Sequence, residues 1–128
     1  MNIIGIIFRI TVLTAAALLI FWGCSQEESY FISQAEFSEL QEKQDDLLIL
    51  DVREPRERTG RLGKIPGSVN IPLGELKSGI ARLELPKDAP IVVLCRTQNR
   101  SQEAYRQLQE MGYEDLYVLQ GGMQDYSQ

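Results

Sequence analysis

No histidine occurs anywhere in the 128 residues. Any nucleophilic cysteine must therefore be activated without an imidazole base, which excludes a Cys–His dyad. Cysteine is nearly as scarce: Cys24 and Cys95 are the only two, far apart in the chain. With two distant thiols and no imidazole there is no ligand cluster for a metal, and no motif implies a cofactor. Basic charge is also short. Lys and Arg number 13 against 18 Asp and Glu, a net charge of −5. Beyond residue 23 the balance is 12 basic to 18 acidic, which argues against nucleic acid as a partner. Internal repeats and low-complexity segments are absent. At this length the chain has room for one domain once its N-terminal segment is set aside.

Residues 1–23 carry Arg9 as their only charge. Ile10 to Gly23 is an unbroken, mostly apolar run with the length of a secretory h-region, and the polar stretch SQEES follows at once. The join LIFWGCS resembles a bacterial lipoprotein signal, in which the cysteine after a small residue is lipidated and becomes the mature N-terminus. That resemblance makes Cys24 the lipidation site and residues 24–30 a short linker. Phe21 and Trp22 are bulkier than such a signal usually carries. An uncleaved anchor over Ile3 to Gly23 is long enough to span a bilayer, and an ordinary signal peptide is the third reading. All three export a domain over residues 31–128 and the first two tie it to a membrane through its N-terminus, facing the periplasm or cell exterior. With Cys24 acylated, Cys95 is the sole free thiol, and a lone thiol in an exported protein points to a reactive role.

Cys95 lies in the stretch PIVVLCRTQNRSQEAYRQLQEMG, residues 90–112. Four consecutive apolar residues, Ile91 to Leu94, suit a strand covered on both faces. A polar loop, Arg96 to Arg100, follows, and the spacing predicts a helix from about Ser101 to Met111 with Ala104, Leu108 and Met111 inward. Gly112 supplies the left-handed stop. Cys95 is thus placed at the carboxyl end of a parallel strand and before a helix N-terminus, where open α/β sheets hold their ligands. Loop N–H groups and the positive helix end attract an anion or a negatively charged sulfur there. The alternative is an inert core cysteine, but two arginines within five residues weigh against it, because an apolar pocket does not hold them unpaired.

Elsewhere, Ser33 and Glu36 form a capping-box pattern for a helix to about Glu42, with Phe37 and Leu40 inward. Leu47 to Val52 reads as a buried strand ending in Asp51-Val52-Arg53. Glu54-Pro55 breaks it, and a long loop leads to Ile65. The basic stretch Arg53 to Lys64 has five basic and two acidic residues. It follows a strand end, where it lines the rim of the Cys95 site and attracts small anions. Ser68 to Ile71 is a short strand. Leu73, Leu76, Ile80 and Leu83 mark one face of a helix that stops before Pro86. Leu116 to Leu119 is the last strand, and Gly121-Gly122 opens a terminal turn or helix. Strands alternating with helices at these lengths predict a small three-layer α/β domain, a central parallel sheet flanked by helices.

Four stretches in order resemble the rhodanese family: LLILDVREP (47–55), GKIPGSVNIPL (63–73), VLCRTQNRS (93–101) and VLQGGM (118–123). They are similar to the family's first strand with Asp-Val-Arg, its central GHIPGA-NIPL motif, its CxxGxR loop followed by Ser or Thr, and its C-terminal LxGG. The resemblance covers about residues 31–126. It implies sulfur transfer through a persulfide on Cys95, from a small anionic donor such as thiosulfate to a thiol or cyanide acceptor. The loop residues Arg96, Thr97, Gln98, Asn99 and Arg100 are then expected to bind the donor. Arg53 is either a further donor ligand at the rim or a structural partner of Asp51 or Glu54. The C-x4-R spacing from Cys95 to Arg100 is one residue shorter than the C-x5-R cradle of tyrosine phosphatases, which suits a terminal sulfur rather than a phosphoryl group. The competing readings are a non-catalytic binding module on the same fold and a dedicated persulfide carrier at the membrane.

Departures from the family pattern are Gln98 where the loop commonly has Gly, Lys64 for the usual His, Tyr126 for a frequent Trp, and about two extra residues between Arg53 and Gly63. Gln98 is expected to crowd the pocket mouth with some backbone strain. On that basis Gln98→Gly raises kcat/KM for thiosulfate about tenfold, roughly 1.4 kcal/mol.

Overall fold

A computed structural model describes residues 30–127. Cys24 and the expected signal or anchor lie outside the described residues. The elements, in chain order, are β1 (Phe31–Ile32), α1 (Gln34–Lys43), β2 (Leu48–Asp51), α2 (Pro55–Arg58) and β3 (Val69–Asn70). A 3-10 turn (Leu73–Glu75) runs into α3 (Leu76–Ala81), followed by β4 (Ile91–Leu94), α4 (Asn99–Glu110), β5 (Leu116–Leu119) and α5 (Gly122–Asp125). The strands form one parallel sheet in the order β1-β5-β4-β2-β3.

The central strand is β4, the most apolar one, whose four residues are all buried. Val93 pairs with Leu50 of β2 on one side and with Val118 of β5 on the other. Side chains alternate across the sheet. Leu50, Val52, Ile91 and Val93 pack with Leu76 and Ile80 of α3 and Ala104 and Leu108 of α4. Ile49, Val92 and Leu94 pack on the opposite face with Phe37 of α1 and Met123 of α5. Three layers result, as the alternation of elements predicts. Because every strand runs the same way, the chain leaves β2, β4 and β5 at one edge of the sheet. That edge gathers Arg53, Cys95 and Gly121.

The local signals act as expected at several ends. Ser33 Oγ accepts from the Glu36 N–H, and Glu36 Oε2 accepts from the Ser33 N–H at 2.7 Å. Gly112 has φ +87°, the left-handed stop after α4. Four details differ from the reading above. Strand β1 is too short for any periodicity to reveal; it forms because Phe31 and Ile32 pair with Val118 and Leu119. The stretch after Glu54 is not all loop. Pro55 takes the first helical position and Glu57 accepts from the Glu54 N–H at 3.0 Å, giving α2 its start. Leu83 is exposed, because α3 ends at Ala81 and leaves no helical face for it. Helix α4 begins at Asn99, so Arg100 sits in its first turn rather than in the loop.

Candidate active site

Cys95 follows β4 directly and continues its alternation onto the α4 face, where it is 1% exposed. Its Sγ lies 3.5 Å from Ser101 Oγ, and the Ser101 hydroxyl also donates to the Gln98 carbonyl at 3.0 Å. A hydroxyl has one hydrogen. With a neutral thiol it serves Gln98 and accepts from sulfur; with a negatively charged sulfur it turns to donate to it. Ser101 is therefore a built-in partner for charge on Cys95.

The loop is held by its carbonyls. Cys95 O accepts from the Met123 N–H at 2.9 Å and Arg96 O from the Gln124 N–H at 2.8 Å, both in α5. Gln98 O accepts from the Gln102 N–H at 3.0 Å. This close seating requires glycine at 122: its φ is +58°, and a Cβ there would stand 2.5 Å from Cys95 O. Among the described residues no carbonyl accepts from the N–H groups of Arg96, Thr97, Gln98, Asn99 or Arg100. Five donors in the segment that follows Cys95 thus have no backbone acceptor, the last two at the N-terminus of a 12-residue helix. Chemically this is a cradle for negative charge.

The site residues expected from sequence fall into two groups. Arg96 and Thr97 are exposed on the loop, Gln98 is half-buried, and Asn99 is exposed at the first position of α4. Gln98 does not carry the expected strain: its φ is −152°. Its Oε1 accepts from the Gly121 N–H at 3.3 Å, tying the loop to the turn before α5. The backbone-strain part of the ground for a faster Gln98→Gly protein is therefore removed. Arg100 is held in a two-pronged pair with Glu57, Nη1 to Oε2 at 2.7 Å and Nη2 to Oε1 at 2.8 Å. It borders the loop, but its fork is engaged and not open to a donor molecule.

Arg53 is not a rim residue. Its side chain is fully buried, with Nε 2.9 Å and Nη2 2.7 Å from the two Asp51 oxygens, and Nη2 also donates to the Gly63 carbonyl at 2.8 Å. A guanidinium buried this deeply needs such partners, and they occupy its Nε and Nη2 donors. Asp51 is the acceptor that fixes the loop after β2. Asn70 strengthens the same loop, donating to the Asp51 and Arg53 carbonyls at 2.9 and 2.8 Å.

Glu57 is the site residue that no local signal marks. It lies 43 positions from Arg100, and only its place three residues after Glu54, at the start of a Pro-led turn, hints that it is ordered. The Arg100 fork beside it, helped by the Glu54 N–H, holds its carboxyl at about 2 against burial pushing the other way. The same pair raises Arg100, against burial pushing the other way. A carboxyl depressed on folding stabilises the fold above its unfolded value, near 4.5. That contribution fades as pH falls from 4.5 through 2. Allowing for its partial exposure, we expect Glu57→Gln to cost about 2 kcal/mol at neutral pH. Urea unfolding of both proteins checks this: the gap narrows from pH 5 to pH 2.5, and a gap independent of pH contradicts it.

A parallel three-layer domain with a buried cysteine in an amide-lined loop at the sheet's carboxyl edge defines the class. Residues 33–128 match the Rhodanese-like domain family, and the chain belongs to it. It is 37% identical over 93 residues to the thiosulfate sulfurtransferase GlpE of Pseudoalteromonas translucida, covering 71% of this chain and 82% of that one. The rhodanese domain-containing protein CG4456 of Drosophila melanogaster is 32% identical over 94 residues, 65% of this chain and 84% of the other. Longer relatives are matched over about a fifth of their length. Among solved structures, a rhodanese-related protein from Thermoplasma volcanium superposes with a TM-score of 0.61 at 33% identity, covering 73% of this chain and 85% of that one.

Proposed function

We propose that the chain is a sulfurtransferase in which Cys95 carries sulfane sulfur as a persulfide, with thiosulfate as a competent donor. The Cys95 thiolate attacks the outer sulfur of the donor; the donor's S–S bond breaks and sulfite leaves with its electron pair. A thiolate or cyanide then attacks the outer sulfur of Cys95–S–S⁻, and the pair returns to Cys95. The observation that carries this reading is the set of five N–H groups without a backbone acceptor in the segment that follows a strand-end cysteine. They stabilise a terminal negative sulfur as an oxyanion hole stabilises oxygen. Arg96, exposed on the loop, draws in the anionic donor. Membership of the family and a relative named a thiosulfate sulfurtransferase support sulfur transfer. The short span from Cys95 to Arg100 favours sulfur over a phosphoryl group. The test is thiocyanate formation by the purified protein from thiosulfate and cyanide. Saturable turnover is expected, and a rate equal to the buffer blank sinks the proposal.

The domain acts at a membrane surface in this reading, exported and held through a lipid on Cys24. The support is the apolar run that ends in Gly23-Cys24-Ser25. Feeding cells a labelled fatty acid tests it. Label is expected on the wild type and absent from Cys24→Ala; an unlabelled wild type leaves the spanning anchor.

A further inference from the structure

Beside the Cys95 loop is a cleft of about 210 Å³ lined by Arg53, Glu57, Arg61, Leu62 and Arg96. Its charges do not cancel. Arg53 is balanced by Asp51, and Glu57 has both oxygens on Arg100. Arg61 and Arg96 are exposed and have no carboxylate within ion-pair distance among the described residues. Two uncompensated cations thus face one cleft in a protein of net charge −5, which concentrates anions at that place.

The cleft is built. The Gly63 N–H donates to the Gly60 carbonyl at 3.0 Å, closing a turn with Arg61 and Leu62 at its centre. The buried Arg53 pins that turn through the Gly63 carbonyl at 2.8 Å. Leu62, half-buried against the core, adds an apolar wall. Room for about seven water-sized groups exceeds what cyanide needs, and the apolar wall suits carbon.

We infer that this cleft receives the body of a small organic thiol bearing carboxylates, which accepts the sulfur from Cys95 while Arg61 and Arg96 hold its negative charges. This rests on the sulfurtransferase reading and names its acceptor. The acceptor thiolate attacks the outer sulfur of Cys95–S–S⁻, forming R–S–S⁻ and returning the electron pair to Cys95. Arg61 acts on specificity, by binding the acceptor at a distance from the reacting sulfur.

The test uses the full chain with thiosulfate as donor and two acceptors, mercaptosuccinate and 2-mercaptoethanol, following sulfite release. The ratio of their kcat/KM values isolates the carboxylates. Arg61→Gln is expected to lower that ratio about fivefold, the scale of one exposed charge pair, through KM rather than kcat. Arg61→Lys is expected to keep most of it, and rising salt to erode it in the wild type. Wild-type turnover with a ratio untouched by Arg61→Gln overturns the cleft assignment alone. A wild type that takes no sulfur from thiosulfate overturns the sulfurtransferase reading as well.

Discussion

Cys95→Ser forms no thiocyanate above the uncatalysed rate, a loss of at least about a thousandfold. A serine oxygen cannot hold sulfane sulfur under these conditions, and no second described cysteine stands near the loop. The fold survives. Serine is close in size, and its hydroxyl inherits the Ser101 partner that now lies 3.5 Å from the sulfur. We expect a stability change within about 1 kcal/mol, read by urea unfolding beside the kinetic assay. A folded Cys95→Ser protein that keeps most of its activity removes Cys95 from the chemistry.

Gly122→Ala is the second large effect, and it strikes the loop without touching the cysteine. The added methyl would lie 2.5 Å from Cys95 O and 2.9 Å from the Arg96 carbonyl carbon, and these are backbone atoms with little freedom to give way. Alanine at φ +58° adds roughly 1 kcal/mol of its own. Relief comes only if α5 backs away, which pulls the Met123 and Gln124 N–H groups off the loop carbonyls. We expect a loss of about 2–4 kcal/mol in stability and at least about a tenfold fall in kcat under conditions where the protein is still folded. Thermal unfolding and steady-state kinetics check the two halves. A variant that is destabilised yet turns over normally would show that the α5 contact supports the fold and not the geometry of the loop.

These two residues differ in how much of their role the sequence reveals. Cys95 is legible because its neighbours are local: four apolar residues before it make a buried strand, and an amphipathic stretch after it makes a helix. The capping box at Ser33 and the stop at Gly112 are readable for the same reason. Gly121-Gly122 is visible as a motif, but its contact with Cys95 joins positions 27 residues apart. The Glu57–Arg100 pair spans 43 positions and the Gln98–Gly121 bond 23. Nothing in a local pattern selects such partners; the parallel sheet does, by bringing the ends of β2, β4 and β5 to one edge. Arg53 shows the converse. The sequence leaves it either a rim ligand or a partner of Asp51 or Glu54, and only the fold decides, by burying it against Asp51. Strand β1 escapes notice because two residues carry no period, although pairing with β5 fixes their place.

The central claim is a persulfide on Cys95, and intact-mass spectrometry of the full chain after exposure to thiosulfate measures it most directly. The wild type is expected to gain about 32 Da, one sulfur atom, and to lose it on adding cyanide, while Cys95→Ser gains nothing that cyanide removes. A wild type whose mass does not change, or a Cys95→Ser protein that gains and releases the same sulfur, contradicts it.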